Sequence, residues 1–515
     1  MVVGTSSNCG KSTVVAGLCR YLARNGYRVA PFKGQNMSLN SYVTRSGGEI
    51  SRAQASQAMA AMTEPHTDMN PVLLKPSNDS ASQVIVKGSP QSEMGAREFQ
   101  AHKSNLVSVV DSALARLGED FDFVVLEGAG SPAEINLMDN DLVNLGLAER
   151  FGIPALIVGD IDRGGVFAHL FGTHQILPRG RQELIFGYIL NKFRGDSTLL
   201  DPAIDQLANA TAMGCLGIVH HENLLNIDQE DSMTLDGLVS RSQPDKLSSV
   251  LDVAVVALEH ISNFTDLEPL VYEENVSLRL VSSPQQLGTP DLVVIPGTKA
   301  TVCDLEVLYK LELDQAIWNA YRNGSVILGI CGGYQMLGTK LVDYVESGRG
   351  EVFGMGMLDC ETIFESRKIT RQVVAQAGPW ALGAPTLTGY EVHHGVTRPG
   401  EATMCFASLD VPTGGVHWVD EMAHQQPREG SVSLNFSVFG TSIHGLFEND
   451  DFRRAFLFHV ANKREKPFTP SQFCFSHLRE SYYDRLADIL EASVEIEAII
   501  EISAKYPLGR SSILK

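Results

Sequence analysis

The chain has 515 residues, 44% hydrophobic and 20% charged, and its 61 acidic against 41 basic residues leave a net charge of −20. That is enough chain for two or three domains with full cores, and the charge argues against nucleic acid as a partner. No apolar run reaches the ~18 residues of a membrane span, and no basic leader with a cleavage site opens the chain, so neither membrane insertion nor secretion is expected.

Met1-Val2-Val3 is the first apolar strand, and it runs into Gly4-Thr5-Ser6-Ser7-Asn8-Cys9-Gly10-Lys11-Ser12-Thr13. This reads as a phosphate-binding loop. Backbone N–H groups face inward, Gly10 and Thr13 complete the cradle, Lys11 meets the phosphates and Ser12 offers a hydroxyl to Mg2+. The loop holds one more residue between Gly4 and Gly10 than the strict pattern, so it is a variant. Residues 12–25 carry Val14, Val15, Leu18 and Leu22 at helical spacing. Apolar runs at 28–32, 123–126, 154–158 and 185–190 are further strands, continuous because a parallel sheet buries both faces. Glu127 closes one of them, in Leu126-Glu127-Gly128-Ala129-Gly130. A carboxylate at the carboxyl end of a parallel strand faces the ligand crevice and can hold Mg2+. Asp160 and Asp162 follow the next strand, as ligand contacts or as turn caps. Asn191 ends the one after, where a side-chain amide can read an adenine edge.

Polar, turn-rich residues near 228–250 separate this region from a second α/β pattern, with strands at 252–257, 292–297 and 325–330. The last of these ends in Gly329-Ile330-Cys331-Gly332-Gly333, ahead of a helix-like stretch. This is the layout of a nucleophile elbow, a sharp strand-to-helix turn that exposes a thiol whose reactive anion the helix N-terminus favours. A thiol that attacks an amide needs a base and an oxyanion hole. His444, at the end of an apolar stretch in Thr441-Ser442-Ile443-His444-Gly445, is the best base, with His393 and His394 as rivals. Backbone donors are expected after Cys331 and near Gly297. The eight cysteines show no zinc spacing and read as free thiols of a reducing cytoplasm. After residue 452 the chain is richer in charge and helical, for example from Tyr482 to Ile502. The expected division is a P-loop ATPase domain at 1–235, a linker at 236–250, a thiol domain at 251–452 and a helical extension at 453–515.

Several motifs stand in one order: Gly-Thr-Ser-Ser…Gly-Lys-Ser, Lys33-Gly34-Gln35-Asn36-Met37-Ser38-Leu39-Asn40, Leu74-Lys75-Pro76, Leu126 to Glu134, Asp160 to Phe167, Asn191 to Asp196, Pro296-Gly297-Thr298-Lys299, Gly329 to Gly333 and His444-Gly445-Leu446-Phe447. With this set the chain resembles the cobyric acid synthase family, the glutamine-dependent amidating ligases of cobalamin biosynthesis. The resemblance covers nearly the whole chain. It implies an N-terminal parallel-sheet ATPase domain similar to dethiobiotin synthetase and a C-terminal class I glutamine amidotransferase-like α/β domain. It implies ATP- and Mg2+-dependent amidation of the b, d, e and g carboxylates of adenosylcobyrinic acid a,c-diamide, with glutamine as nitrogen donor. Cys331 is then the nucleophile and His444 its base. Most class I amidotransferases carry a Glu two residues after this His; here Leu446 stands there and Glu448 lies further on, a lack the family shares, so a Cys331–His444 dyad is expected. Lys75 and Arg163 are candidates for contacts to the corrin substrate. Related a,c-diamide synthases carry an Asp-containing segment where this chain has Gln35-Asn36, which favours cobyric acid synthase over that alternative. A partition-type ATPase is the remaining rival, and it would need neither Cys331 nor His444.

Overall fold

The computed structural model describes residues 1–77, 80–221, 251–410 and 428–506. The linker expected at 236–250 lies outside the described residues. The strand Val2–Gly4 is fully buried. It pairs in parallel with Ala155–Asp160, which pairs with Ile185–Phe193 and then Gly214–His220. On its other side a parallel bridge from Val2 to Glu127 brings in the pair Phe123–Leu126 and Val29–Phe32. The result is a six-strand parallel sheet, as the continuous apolar runs predict. A second, mostly antiparallel sheet of Gln35–Met37, Val72–Pro76, Ala81–Val86 and Ser89–Gly95 lies beside it.

The second domain is built on a sheet whose strands run in the order Val276–Val281, Leu251–Val256, Leu292–Ile295, Val326–Ile330 and Val438–Thr441, all parallel. Two short antiparallel strands, Ser431–Ser433 and Thr403–Met404, complete its edge. A long hairpin, Cys360–Ala377 with Thr386–Pro399, lies outside this sheet. The hairpin touches the first domain: Tyr390 donates its hydroxyl to Ser41 O at 2.9 Å and Gln372 donates to Val43 O at 3.0 Å.

Two helices that follow residue 449 have different attachments. Asp450–Lys463 sends Phe452, Phe456, Leu457 and Val460 into the second domain's core. Phe475–Ser493 returns to the first domain, where Leu490 packs against Gly17 of the Lys11–Arg24 helix and Arg20 pairs with Glu480 and Asp484, both at 2.8 Å. The single helix predicted from Tyr482 to Ile502 is two, Phe475–Ser493 and Ile496–Ala504. The break arises because Val494 bridges Gly217 and Glu495 N donates to Leu216 O at 2.8 Å, which extends the edge of the parallel sheet. Among the described residues no helix is long and apolar enough to cross a membrane.

Candidate active site

Four strand ends of the second sheet converge on Cys331. The residue itself has φ 50 and ψ −107, a strained turn between Val326–Ile330 and the helix Gly332–Leu337. Such strain is expected where a nucleophile is held out of a sharp bend. The two glycines that follow are needed for packing. A Cβ on Gly333 would lie 2.0 Å from Ile295 O, and one on Gly332 would lie 3.1 Å from Thr298 N. The helix start therefore presses against the end of Leu292–Ile295, and the Thr298 and Gly332 backbones meet beside the sulfur. This is where the sequence puts the oxyanion donors. The Thr298 turn is fixed by its own hydroxyl, which bonds Asp304, and by His260 Nδ1, 2.8 Å from Asp304.

His444 reaches Cys331 from just beyond the end of Val438–Thr441, close enough for the sulfur to act on its ring. Its other nitrogen, Nδ1, lies 2.7 Å from Asp266 Oδ2. Asp266 Oδ1 accepts from Gly445 N at 2.7 Å, so one carboxylate holds both the ring and its backbone turn. Tyr390 stacks on the ring with centroids 5.4 Å apart. Burial by itself would lower the imidazole pKa, but the Asp266 carboxylate and negative charge at the Cys331 sulfur push it up to about 10. His444 is thus an imidazolium at neutral pH, and an imidazolium beside a sulfur favours the nucleophilic thiolate. The rivals have other partners: His393 Nδ1 meets Gly395 O at 2.7 Å and His394 Nδ1 meets Glu365 O at 3.0 Å.

Asp266 is a residue the sequence analysis did not find. It sits in the loop after Leu251–Val256, at the carboxyl edge of a parallel sheet, where ligand-facing groups collect. Glu448, the carboxylate nearest to His444 in sequence, points elsewhere. It lies 2.7 Å from Arg52 and 2.8 Å from Arg479, across the domain boundary. Burial would raise its pKa, but these two guanidinium groups hold it down to about 2. A carboxyl with a lowered pKa stabilises the fold fully above its ordinary value near 4.5, and that stabilisation is lost as pH falls toward 2. Glu448→Gln should lower the unfolding free energy by about 3 kcal/mol at pH 7, because Arg52 is left buried beside an uncharged partner. The urea midpoint at pH 7 and its smaller deficit at pH 3 check this.

The thiol borders a cavity lined by Thr298, Lys299, Gln335, His393 and, from the first domain, Lys75. Lys75, a candidate for corrin contact, is instead buried: its Nζ lies 2.8 Å from Glu49, and Lys368 of the hairpin lies 2.6 Å from the same carboxylate. Arg163 remains exposed, 3.8 Å from Asp160.

At the other site, Gly10 has φ 101, and a Cβ there would meet Asn191 Nδ2 at 2.0 Å. Asn191 donates to Cys9 O at 2.9 Å, so its amide braces the loop. Lys11 and Ser12 begin the helix that follows, with Thr13 in its first turn. The Lys11 ammonium is buried and donates to Ser6 O at 2.9 Å and Gly130 O at 3.2 Å. Ser12 Oγ donates to Glu127 Oε1 at 3.0 Å, and Lys33 lies 2.7 Å from the same oxygen. Burial opposes the charge on Glu127, but Lys33, Gln57 and Lys11 keep its pKa below the ordinary value. Asp160 caps its own turn, accepting from Asp162 N at 3.0 Å, and pairs with Lys192 at 2.8 Å. The helix Arg52–Ala60 connects the two sites: Gln57 donates to Glu127, and Arg52 meets Glu448, in the turn after His444.

Residues 1–235 match the CobQ/CobB/MinD/ParA nucleotide binding domain, and residues 252–452 match the CobB/CobQ-like glutamine amidotransferase domain. A cobyric acid synthase of Nocardia farcinica is 47% identical over 507 residues, covering 98% of this chain and 96% of the relative. That of Rhodococcus jostii is 45% identical, covering 100% of this chain and 97% of the relative, and one from Listeria monocytogenes is 42% identical, covering 98% and 96%. The chain belongs to the cobyric acid synthase family. Its first domain is accordingly a nucleotide-binding domain and its second a glutamine amidotransferase domain, as the motifs imply. The partition-type ATPase alternative has no place for the second domain.

Proposed function

We propose that the chain converts adenosylcobyrinic acid a,c-diamide to adenosylcobyric acid by amidating the b, d, e and g carboxylates, with nitrogen from glutamine and activation by ATP. The observation that supports this best is the Cys331–His444–Asp266 array beside a cavity walled partly by the nucleotide-binding domain.

A carboxylate repels nucleophiles and has a poor leaving group. Phosphoryl transfer from ATP to the carboxylate makes an acyl phosphate, in which phosphate leaves readily. Lys11 and the loop amides neutralise the transferring phosphoryl group. Asn191 offers its side-chain carbonyl to the adenine amine. Ser12 and Glu127, two hard oxygen donors 3.0 Å apart, would hold Mg2+ in place of their mutual hydrogen bond, with Glu127 Oε1 released from Lys33. Among the described residues no cluster of three His, Cys, Asp or Glu could hold a metal ion, so phosphates and water would complete its shell. When bound it supplies positive charge at the phosphates.

In the second domain the Cys331 thiolate attacks the glutamine carboxamide carbon, and Thr298 N and Gly332 N receive the oxyanion. The C–N bond breaks, His444 gives its proton to the departing nitrogen, and ammonia leaves a thioester that water clears. Ammonia then displaces phosphate from the activated carboxylate. Transfer must avoid bulk water, because ammonium has no lone pair. The domain contact through Ser41, Lys75, Lys368 and Tyr390 lies beside the cavity of the thiol, where it would shield the transfer. The eight free cysteines support a cytoplasmic setting.

Lys11→Ala should lower amidation by roughly 10²- to 10³-fold with either glutamine or ammonia, since an aligned positive donor is lost at the phosphoryl group. Counting amides added to the a,c-diamide by mass spectrometry, with glutamine and then ammonia, tests both the substrate and the loop. Unimpaired synthesis by this variant would remove Lys11 from the reaction.

A further inference from the structure

His393 carries a buried acceptor that the Cys331–His444–Asp266 mechanism does not use. It stands on the Thr386–Pro399 strand, three residues after the Tyr390 that stacks on His444. That strand is tied to His444 by two backbone bonds, Tyr390 N to His444 O at 3.2 Å and His444 N to Tyr390 O at 2.8 Å. His393 is 9% exposed and lines the cavity that also holds Cys331. Its Nδ1 lies 2.7 Å from Gly395 O. A carbonyl oxygen only accepts, so Nδ1 bears the proton and Nε2 the lone pair. Burial holds the ring's pKa below the ordinary value, Glu391 opposes this, and the nearby His444 charge reinforces it, so the ring is neutral. Nε2 is buried and has no hydrogen-bond partner among the described residues. An orphaned buried acceptor is costly, and next to a nucleophile it calls for a ligand that donates.

We propose that His393 Nε2 accepts a hydrogen bond from the carboxamide N–H of bound glutamine and so positions the leaving nitrogen. This rests on the thiol-site reading above. When Cys331 Sγ adds to the carboxamide carbon, the nitrogen becomes pyramidal and its lone pair must face His444. A hydrogen bond from one N–H to His393 fixes that orientation. Sγ–C forms, C–N breaks, the His444 proton goes to nitrogen, and NH3 departs; His393 neither gives nor takes a proton. The second imidazole therefore favours an amide donor over a γ-acyl compound whose leaving group has no N–H.

The experiment compares hydrolysis of L-glutamine and of L-glutamate γ-methyl ester by the full chain. The ester has the same acyl part and no N–H to donate. His393→Leu should lower kcat/KM for glutamine roughly tenfold or more while changing that for the ester less than about threefold, the loss of one hydrogen bond to an uncharged partner. An unchanged amide-to-ester ratio overturns the inference, whether both rates stay native or both fall together, because a structural role or a contact to the amino-acid end moves both substrates equally. A thermal unfolding midpoint close to native for the same preparation reports folding. If His393→Leu does not fold, His393→Phe, which keeps a ring and removes the acceptor, takes its place: it should lower the amide-to-ester ratio roughly tenfold or more, and an unchanged ratio overturns the inference. The thiol reading fails separately, if Cys331→Ala still hydrolyses glutamine.

Discussion

Cys331→Ala is expected to lose glutamine hydrolysis and glutamine-dependent amidation by about 10⁶-fold, the scale seen when the nucleophile of an acyl-transfer site is removed. The same protein should amidate at close to the native rate when given ammonia at raised pH. The contrast follows from the architecture. Cys331 belongs to a turn in the second domain, while Lys11, Ser12 and Glu127 form a pocket with its own hydrogen bonds in the first. Alanine fits the turn's volume, so the fold has no reason to change. The φ of 50 at this position is relieved neither by Cys nor by Ala, and stability should stay near native. Assays with each nitrogen donor on one preparation decide the matter. Glutamine-dependent turnover in this variant would refute the nucleophile assignment. Loss of turnover with ammonia as well would show that the thiol turn also supports the ligase pocket, and that the two sites are not separable.

The parts of this molecule legible in the sequence are those with local signals. Continuous apolar runs announced the parallel strands, and Gly-Lys-Ser and Gly-Ile-Cys-Gly-Gly marked both sites because a phosphate loop and a nucleophile turn each impose backbone demands on neighbouring residues. Asp266 escaped because its partner is 178 residues away and its own surroundings, Asn-Phe-Thr-Asp, are a short 3-10 turn with no motif to mark it. The rule that exposed Glu127, a carboxylate beyond a parallel strand, applies to the loop after Leu251–Val256 as well, and would have found it. The roles of Lys75 and Glu448 were hidden for another reason. Lys75 shares the Glu49 carboxylate with Lys368 of the other domain, and Glu448 pairs with Arg52 and Arg479 across the domain boundary. Charge pairing between distant segments leaves no periodic trace in a sequence. The long Thr386–Pro399 strand, which carries Tyr390 and His393, was likewise silent, since its six consecutive buried residues, Tyr390 to Gly395, are mostly polar and make no apolar run.

Asp266→Asn should reduce glutamine-dependent kcat by roughly 10²- to 10⁴-fold and leave ammonia-dependent amidation unchanged. Two losses combine. The carboxylate is the stronger of the two groups that hold the His444 proton, and asparagine supplies no charge. Its amide also fits Nδ1 in the wrong tautomer, with a nitrogen donor where an acceptor is needed, and it meets Gly445 N with only one oxygen. The sign of the pH effect follows directly. In the native protein His444 keeps its proton up to a pH of about 10, so the basic limb of glutamine kcat/KM falls near there. Without Asp266 the imidazolium is less favoured, the proton needed by the departing nitrogen is lost sooner, and the basic limb moves to lower pH. A residue that merely packs against the ring would lower the rate without moving that limb. Glu448→Gln serves as the comparison, because its carboxylate pairs with Arg52 and Arg479 rather than with the ring. It should cost stability and leave the basic limb in place. If Asp266→Asn retains a native pH profile, His444 is held by something other than this carboxylate, and the site is a dyad after all.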